Sequence, residues 1–234
     1  MLHSLNELSN YHVAATDGDI GYCKDFLFND EQWNLHYMLV DTHRWLPGGQ
    51  KVLLSTNIIT RIDRKKRVIS IDRSRSDIER SPALPSNEPI SRAYEKTYQC
   101  YFDYAYLKVG PNPLDSYFMG THIENIKIVA APKEPASEKN HEHSVHSVED
   151  YDLQTSDSRH GHIVDFIVNE QDWRVVYLAV DVKHWLTKSD TVLLPPENLE
   201  SLSWPKQKVF VALTAKQIEN MPAYNLHTLE KMTL

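Results

Sequence analysis

The sequence predicts a mainly β protein with short helices, built as two tandem small β-barrels that arose by internal duplication. Two observations support this fold class. The 234-residue chain repeats itself at a fixed offset of 140 residues. Within each repeat, aromatic and β-branched residues form short runs separated by polar turns, which is typical of strands. At 41% hydrophobic and 24% charged residues, the composition is that of an ordinary globular protein.

The repeat is clearest when residues 19–54 are aligned with residues 159–194. No gap is needed, and 13 of the 36 pairs are identical, among them two tryptophan pairs. The identical pairs are Gly21/Gly161, Asp25/Asp165, Phe26/Phe166, Asn29/Asn169, Trp33/Trp173, Tyr37/Tyr177, Val40/Val180, Asp41/Asp181, Trp45/Trp185, Leu46/Leu186, Val52/Val192, Leu53/Leu193 and Leu54/Leu194. A period this long indicates a duplicated domain rather than a solenoid.

The repeat and the composition together divide the chain into four parts. Copy one occupies residues 1–84, and an insert with aromatic residues follows at 85–131. Residues 132–150 are rich in Glu, Lys, Ser, Asn and His, a composition that predicts a flexible polar linker. Copy two then occupies residues 151–234.

Each copy is predicted to form two antiparallel hairpins and one further strand. The first hairpin turns at the short polar segment after the first strand, and the second turns at a basic segment. The predicted strands of copy one are 22–29, 35–40, 52–54, 61–63 and 68–72, and those of copy two are 162–169, 175–180, 192–194, 201–204 and 209–213.

A short helix is predicted to close each copy. Thr214 and Gln217 have the spacing of a capping box, and Ser74 with Asp77 approximates it in copy one. Pro82 and Pro222 follow these helices and favour their ends. Short strands with unpaired edges must pair or close on themselves, so a small barrel is the expected result.

The insert contains a predicted amphipathic helix. Tyr94, Tyr98 and Tyr101 follow helical spacing within residues 90–104. This helix is expected either to cover a barrel or the cleft between barrels, or to present an aromatic face to a partner. Residues 126–131 are apolar and are expected to add a strand to either copy.

Charge and cysteine content restrict the function classes. The formal net charge of −7 disfavours general binding of nucleic acid. The basic run at 61–67 is the local exception, and we interpret it as a solvated turn. Cys23 and Cys100 have no metal-type spacing and indicate no disulfide framework, so a cytoplasmic location is expected. The N-terminal segment does not resemble a secretory signal, and no apolar run is long enough to cross a bilayer.

The polar residues do not form a catalytic pattern. Asp25 and Asp165, like Asp41 and Asp181, could act as paired acid–base groups, but we interpret them as structural because no nucleophile–base constellation accompanies them. Neither a nucleophile elbow nor a phosphate-binding loop occurs. The histidines at 141, 143 and 146 could bind zinc or nickel. Their polar surroundings favour a linker instead, so we expect no metal, no cofactor and no enzyme activity.

An ordered set of motifs in copy one resembles the PRC-barrel family. The string Gly21-x-x-x-Asp-Phe-x-Phe is followed by Trp33-x-x-x-Tyr-x-x-Val-Asp and by Trp45-Leu-Pro-Gly-Gly-x-Lys-Val-Leu-Leu. The resemblance covers nearly all of residues 1–110 and, more weakly, 150–225. It implies small β-barrels that mediate protein–protein contacts, and it transfers no catalytic residue.

The resemblance and the aromatic content together predict a scaffold or adaptor that binds another protein. We expect the barrels to pack on each other about a pseudo-two-fold axis, and association of several chains is left open. Two alternatives remain: a small-molecule sensor, and an RNA- or ribosome-associated factor that uses the basic turn. The candidate partner-binding residues are Trp45, Pro47, Gly48, Gly49, Trp185, Tyr94, Tyr98 and Tyr101. In copy two, Pro47-Gly48-Gly49 is replaced by Thr187-Lys188-Ser189, so a contact made by this loop is expected to belong to copy one alone.

Overall fold

The computed structural model describes residues 1–42, 45, 51–81, 142–149, 151–158, 160–182, 191–224 and 229. This part of the chain is mainly β, with two mixed sheets of seven strands each and a few short helices. The prediction of a mainly β, duplicated fold is therefore confirmed. The predicted helix at 90–104 and the predicted strand at 126–131 lie outside the described residues.

Except for α1, which corresponds to a turn, every described element of one copy has a counterpart 140 residues away in the other. Copy one contains β1 (Leu2–Ser4), α1 (Leu5–Leu8), β2 (His12–Ala15), β3 (Gly18–Asn29), β4 (Asn34–Asp41), β5 (Lys51–Ser55), a 3-10 turn (Thr56–Ile58), β6 (Ile59–Asp63), β7 (Val68–Ile71) and α2 (Arg75–Glu79). The second half of the chain contains β8 (Glu142–Ser144), which precedes copy two. Copy two contains β9 (Asp152–Gln154), β10 (His160–Asn169), β11 (Val175–Asp181), β12 (Thr191–Leu194), a 3-10 turn (Pro196–Asn198), β13 (Leu199–Ser203), β14 (Lys208–Val211) and α3 (Ala215–Glu219).

The two sheets share one topology. The order is β5-β4-β3-β2-β7-β6 in copy one and β12-β11-β10-β9-β14-β13 in copy two. The predicted hairpins β3–β4 and β6–β7 are antiparallel, as are their counterparts in copy two. Parallel pairs, β2 with β7 and β9 with β14, join the hairpins of each copy. No ladder among the described residues joins β5 to β6 or β12 to β13, so the hydrogen bonds described here do not close either sheet.

Both predicted capping boxes are present. The side chain of Ser74 accepts from the Asp77 amide while the Asp77 carboxylate accepts from the Ser74 amide, and Thr214 and Gln217 repeat this arrangement. These contacts satisfy amides that the first helical turn would otherwise leave unpaired. No helix in the described ranges is long and apolar enough to cross a bilayer.

One buried hydrophobic cluster contains side chains from both copies. Strand β7 shows how it is built, because Ile69 and Ile71 point inwards and Ser70 between them is more exposed. Across the copies, the rings of Phe28 and Phe166 lie with their centroids 5.4 Å apart. The two copies therefore share one core instead of burying two separate ones.

The seventh strand of each sheet is supplied by the other copy. Strand β1 of copy one pairs antiparallel with β10, and β8, which precedes copy two, pairs antiparallel with β3. We call residues 2–8 the first arm and residues 142–149 the second arm. The prediction of a flexible linker over 132–150 is corrected for residues 142–149, which form a strand and a turn packed on copy one.

Candidate functional site

The first arm is fixed by a buried serine that contacts a carboxylate of copy two. Ser4 is the N-cap of α1, where its hydroxyl oxygen accepts from the Glu7 amide. The same hydroxyl donates to Oδ2 of Asp165 over 2.5 Å. Both side chains are almost fully buried, with 2% of Ser4 and 3% of Asp165 exposed, so water cannot readily replace this bond.

Asp165 accepts hydrogen bonds at both oxygens. Oδ1 accepts from the amides of Asn6 in the arm and of Phe166, and Oδ2 also accepts from the Tyr224 hydroxyl at 2.7 Å. With the Ser4 hydroxyl, four donors surround one carboxyl group. A carboxylate needs such donors when it is removed from water.

The second arm repeats this contact on copy one. Ser144 accepts from the Ser147 amide and donates to Oδ2 of Asp25 over 2.5 Å. Oδ1 of Asp25 accepts from the amides of His146 and Phe26. Each arm therefore presents one serine hydroxyl and one backbone amide to the aspartate of the opposite copy.

The position of each aspartate in its strand explains its orientation. The β3–β4 register shifts between Cys23 and Asp25, and the β10–β11 register shifts between Ile163 and Asp165. Such an irregularity re-aims a side chain, here towards the incoming arm. Burial raises the pKa of both Asp25 and Asp165 above the ordinary value, and the donated hydrogen bonds oppose that shift.

The tryptophans of the repeat lie where the two copies meet. The carbonyl of Trp173 accepts from the Leu35 amide, and the carbonyl of Trp33 accepts from the Val175 amide, both at 2.8 Å. This reciprocity is what a two-fold relation between the copies produces. Trp33 and Trp173 both adopt the left-handed region, with φ of 58° and 56°.

Histidine–carboxylate pairs flank each arm. Nε2 of His3 lies 3.0 Å from Glu170 of copy two, and Nε2 of His143 lies 3.3 Å from Asp30 of copy one. A third pair joins His36 to Glu142 over 2.6 Å. Burial lowers the pKa of His3, against the raising effect of its carboxylate partner.

The turn between β6 and β7 contacts the first arm, and the turn between β13 and β14 contacts the second arm. In copy one, Arg64 donates to Nδ1 of His3 and to the carbonyl of Leu2. At the equivalent position in copy two, the Trp204 ring stacks on His143 with ring centroids 3.4 Å apart. Its indole nitrogen donates to Asp30 over 3.0 Å. An arginine thus contacts the first arm, whereas a tryptophan occupies the equivalent position against the second arm.

Trp45 is the single predicted partner-binding residue within the described part of the chain. It is partly buried and packs against the shared core, and the Arg75 guanidinium lies 5.3 Å from its ring centroid. The amide and guanidinium of Arg75 contact Asp17 and Asp19. The other seven predicted residues, Pro47, Gly48, Gly49, Trp185, Tyr94, Tyr98 and Tyr101, lie outside the described residues.

The basic turn is partly used by the fold. Arg67 lies over the Tyr11 ring at 5.2 Å from its centroid, and Arg61 pairs with Asp63. Lys65 and Lys66 are exposed. The turn between two strands was predicted and is confirmed, because it connects β6 and β7.

The two described histidines of the 141–146 segment have different partners. His143 is stacked against Trp204, whereas Nδ1 of His146 pairs with Glu149 in its own arm over 2.9 Å. His141 lies outside the described residues. Within the described ranges, no group of three or more His, Cys, Asp or Glu side chains is arranged to hold a metal ion.

Sequence reasoning missed the arms, although a signal for them was present. Extending the 140-residue offset towards the N-terminus pairs His3 with His143, Ser4 with Ser144, and Tyr11 with Tyr151. The polar composition of the second arm obscured this match, because it is also the composition of a linker.

Comparison with protein-family models and with curated proteins provides no relative for this chain. It matches no protein-family model, and no curated protein matches it. The resemblance to the PRC-barrel module therefore depends on the ordered motifs alone.

Proposed function

We propose that this chain is a non-enzymatic protein-binding scaffold made of two PRC-barrel-like modules. The parallel pairing of β2 with β7 supports the barrel, because it joins two hairpins into one sheet around a common core. A sheet of this kind can complete a small barrel by side-chain packing where hydrogen-bonded pairing ends.

The main support for the proposal is that the repeated aspartates hold the two copies together. Asp25 and Asp165 are one of the two aspartate pairs that the sequence offers as acid–base candidates. Both accept hydrogen bonds from the arm of the opposite copy and from neighbouring amides. Groups held in this way join the copies and are poorly placed to exchange protons with a substrate. The repeated polar chemistry of this chain thus supports assembly.

A candidate docking surface lies on copy one around Trp45 and Arg75. An arginine stacked on a partly buried tryptophan combines two residue types that are enriched in interface hot spots. The counterpart of Arg75 in copy two is Ala215, so this pair belongs to copy one alone. Pro47-Gly48-Gly49, close to Trp45 in sequence, is likewise replaced by other residues in copy two, which favours a single binding face.

The RNA-binding alternative is less well supported by the contacts of the basic turn. Arg64 binds the first arm, and Arg67 covers the Tyr11 ring. Both arginines thus have contacts within the fold, although Arg67 remains exposed together with Lys65 and Lys66. A short cluster of cations on a protein with a formal net charge of −7 gives little long-range attraction for a phosphate backbone.

The test is affinity purification of the tagged full-length chain from its native cells, beside matched Trp45→Ala and Lys65→Ala variants. We expect one protein to co-purify at near-stoichiometric amounts with the wild type and with Lys65→Ala, and to be lost with Trp45→Ala. Urea denaturation must first show that Trp45→Ala is folded, and Arg75→Ala replaces it if it is not.

Three results would contradict the proposal. Recovery of no stoichiometric protein is one. Nuclease-sensitive material that is lost in Lys65→Ala and at high salt would favour the RNA-binding alternative. A rise in melting temperature with a metabolite, without any protein partner, would favour the sensor.

A further inference from the structure

We propose that the groove of copy two that holds the first arm also accepts the first arm of a second copy of this chain, which gives an arm-exchanged dimer. The groove consists of the edge of β10 with Asp165 and Glu170. This inference does not depend on the proposed scaffold function, because it concerns contacts between identical chains.

The structure already contains this type of exchange within one chain. The first arm leaves copy one to pair with β10, and the second arm pairs with β3 of copy one. Both arms add a three-residue strand to a sheet edge and then form one helical turn. Addition of an extended segment to a sheet edge is a general mode of recognition between chains.

The two arms differ in sequence but make the same contacts with their grooves. The residues that they share therefore show what a groove binds. Both arms contain His-Ser followed by an aliphatic residue, and the aliphatic residue recurs three positions later. In the first arm these residues are Leu5 and Leu8, with 1% and 0% exposed. The intervening residues, Asn6-Glu7 and His146-Ser147, differ. The groove thus selects a strand, a serine hydroxyl and two buried aliphatic side chains.

The segment that joins the first arm to copy one is short and contains a tight reversal. Asn10 has φ of 71°, and its amide donates to the Cys23 carbonyl. The left-handed region costs a β-branched residue about 1–2 kcal/mol, whereas glycine tolerates it. In the exchanged dimer this reversal opens into an extended hinge. The residue at position 10 therefore affects the equilibrium between the closed chain and the exchanged dimer.

The closed chain and the exchanged dimer contain the same arm–groove contacts. Substitutions in these contacts and substitutions at the hinge should therefore have different effects on exchange. A substitution within the contact destabilises both forms equally. Ser4→Ala therefore speeds the opening of the arm by roughly tenfold or more, because a buried hydrogen bond to a charged group is lost. It leaves the final dimer fraction unchanged. A substitution at the hinge changes that fraction instead.

The experiment uses two differently tagged full-length chains, one with Leu2→Cys and the other with Asn169→Cys. These positions are directly opposite in the β1–β10 ladder, so a disulfide between the two chains forms when an arm has been exchanged. The chain that carries both cysteines is the positive control, since it closes within itself. Wild-type chains, which retain Cys23 and Cys100, measure the background. A tethered arm has an effective concentration of about 1 mM, so mixing is done at several hundred micromolar and followed for days.

We expect the mixed chains to accumulate a disulfide-linked heterodimer above background. In otherwise native chains, Asn10→Val should raise the dimer fraction by roughly tenfold or more over Asn10→Gly, because each dimer contains two hinges. The inference is overturned if the double-cysteine chain closes internally while the mixed chains stay unlinked. It is also overturned if the dimer fraction is the same in the two hinge variants, or if Ser4→Ala changes that fraction without changing the rate.

Discussion

Removal of the Ser4 hydroxyl tests whether the arms hold the two copies together. Ser4→Ala deletes the N-cap of α1 and the 2.5 Å bond to Asp165. Loss of an N-cap costs about 1 kcal/mol, and loss of a buried hydrogen bond to a charged group costs about 1.5–3 kcal/mol. We therefore expect the free energy of unfolding to fall by about 2–4 kcal/mol, a large share of the total for a typical domain.

The assay is urea denaturation at neutral pH, followed by tryptophan fluorescence and by far-UV circular dichroism. Because one core contains residues from both copies, the two signals should report a single transition, and Ser4→Ala should shift its midpoint. Ser9→Ala is the matched control, since the Ser9 hydroxyl donates to the carbonyl of Leu5 within the same segment. Its expected cost is about 1 kcal/mol or less.

The reasoning fails if Ser4→Ala and Ser9→Ala destabilise the protein equally. It also fails if two separate transitions appear and Ser4→Ala shifts only one of them, because the copies would then unfold independently.

Three further predictions follow from individual contacts. A raised pKa in the folded state means that the contribution of Asp165 is lost as the pH rises through that pKa. The free energy of unfolding of the wild type, relative to that of Asp165→Asn, should thus fall as the pH rises above about 4. The expected fall is about 1.4 kcal/mol for each unit by which the pKa of Asp165 is raised. Parallel curves of unfolding free energy against pH for the two proteins would refute this. Gly21 has φ of 134° and would place a Cβ 2.0 Å from a backbone oxygen, whereas a Cβ on Gly161 would lie 2.7 Å away. Gly21→Ala should cost about 3 kcal/mol or more and Gly161→Ala less, and equal denaturation midpoints would contradict the repeat-specific strain. Trp204→Phe keeps an aromatic ring but loses the bond to Asp30, and a thermal melt should show a loss of about 1 kcal/mol, whereas an unchanged melt would remove this contact from the junction.

The features that could be predicted without the structure are those encoded by residues close to one another along the chain. The runs of aromatic and β-branched residues joined by short polar turns predicted the hairpins, and they are present in both copies. The capping residues at Ser74 and Thr214 predicted both short helices for the same reason, since a capping box involves residues three positions apart. The 140-residue offset showed that both halves share these elements.

The tertiary structure alone decided which sheet each arm joins. An arm of this type fits the edge of β3 and the edge of β10 by the same contacts, so its own sequence does not distinguish its own copy from the other. The choice depends on where the chain runs after residue 9, which is a property of the packed molecule. The roles of Asp25 and Asp165 follow from it, because their partners are more than 100 residues away in sequence, and local patterns carry no information about such pairs.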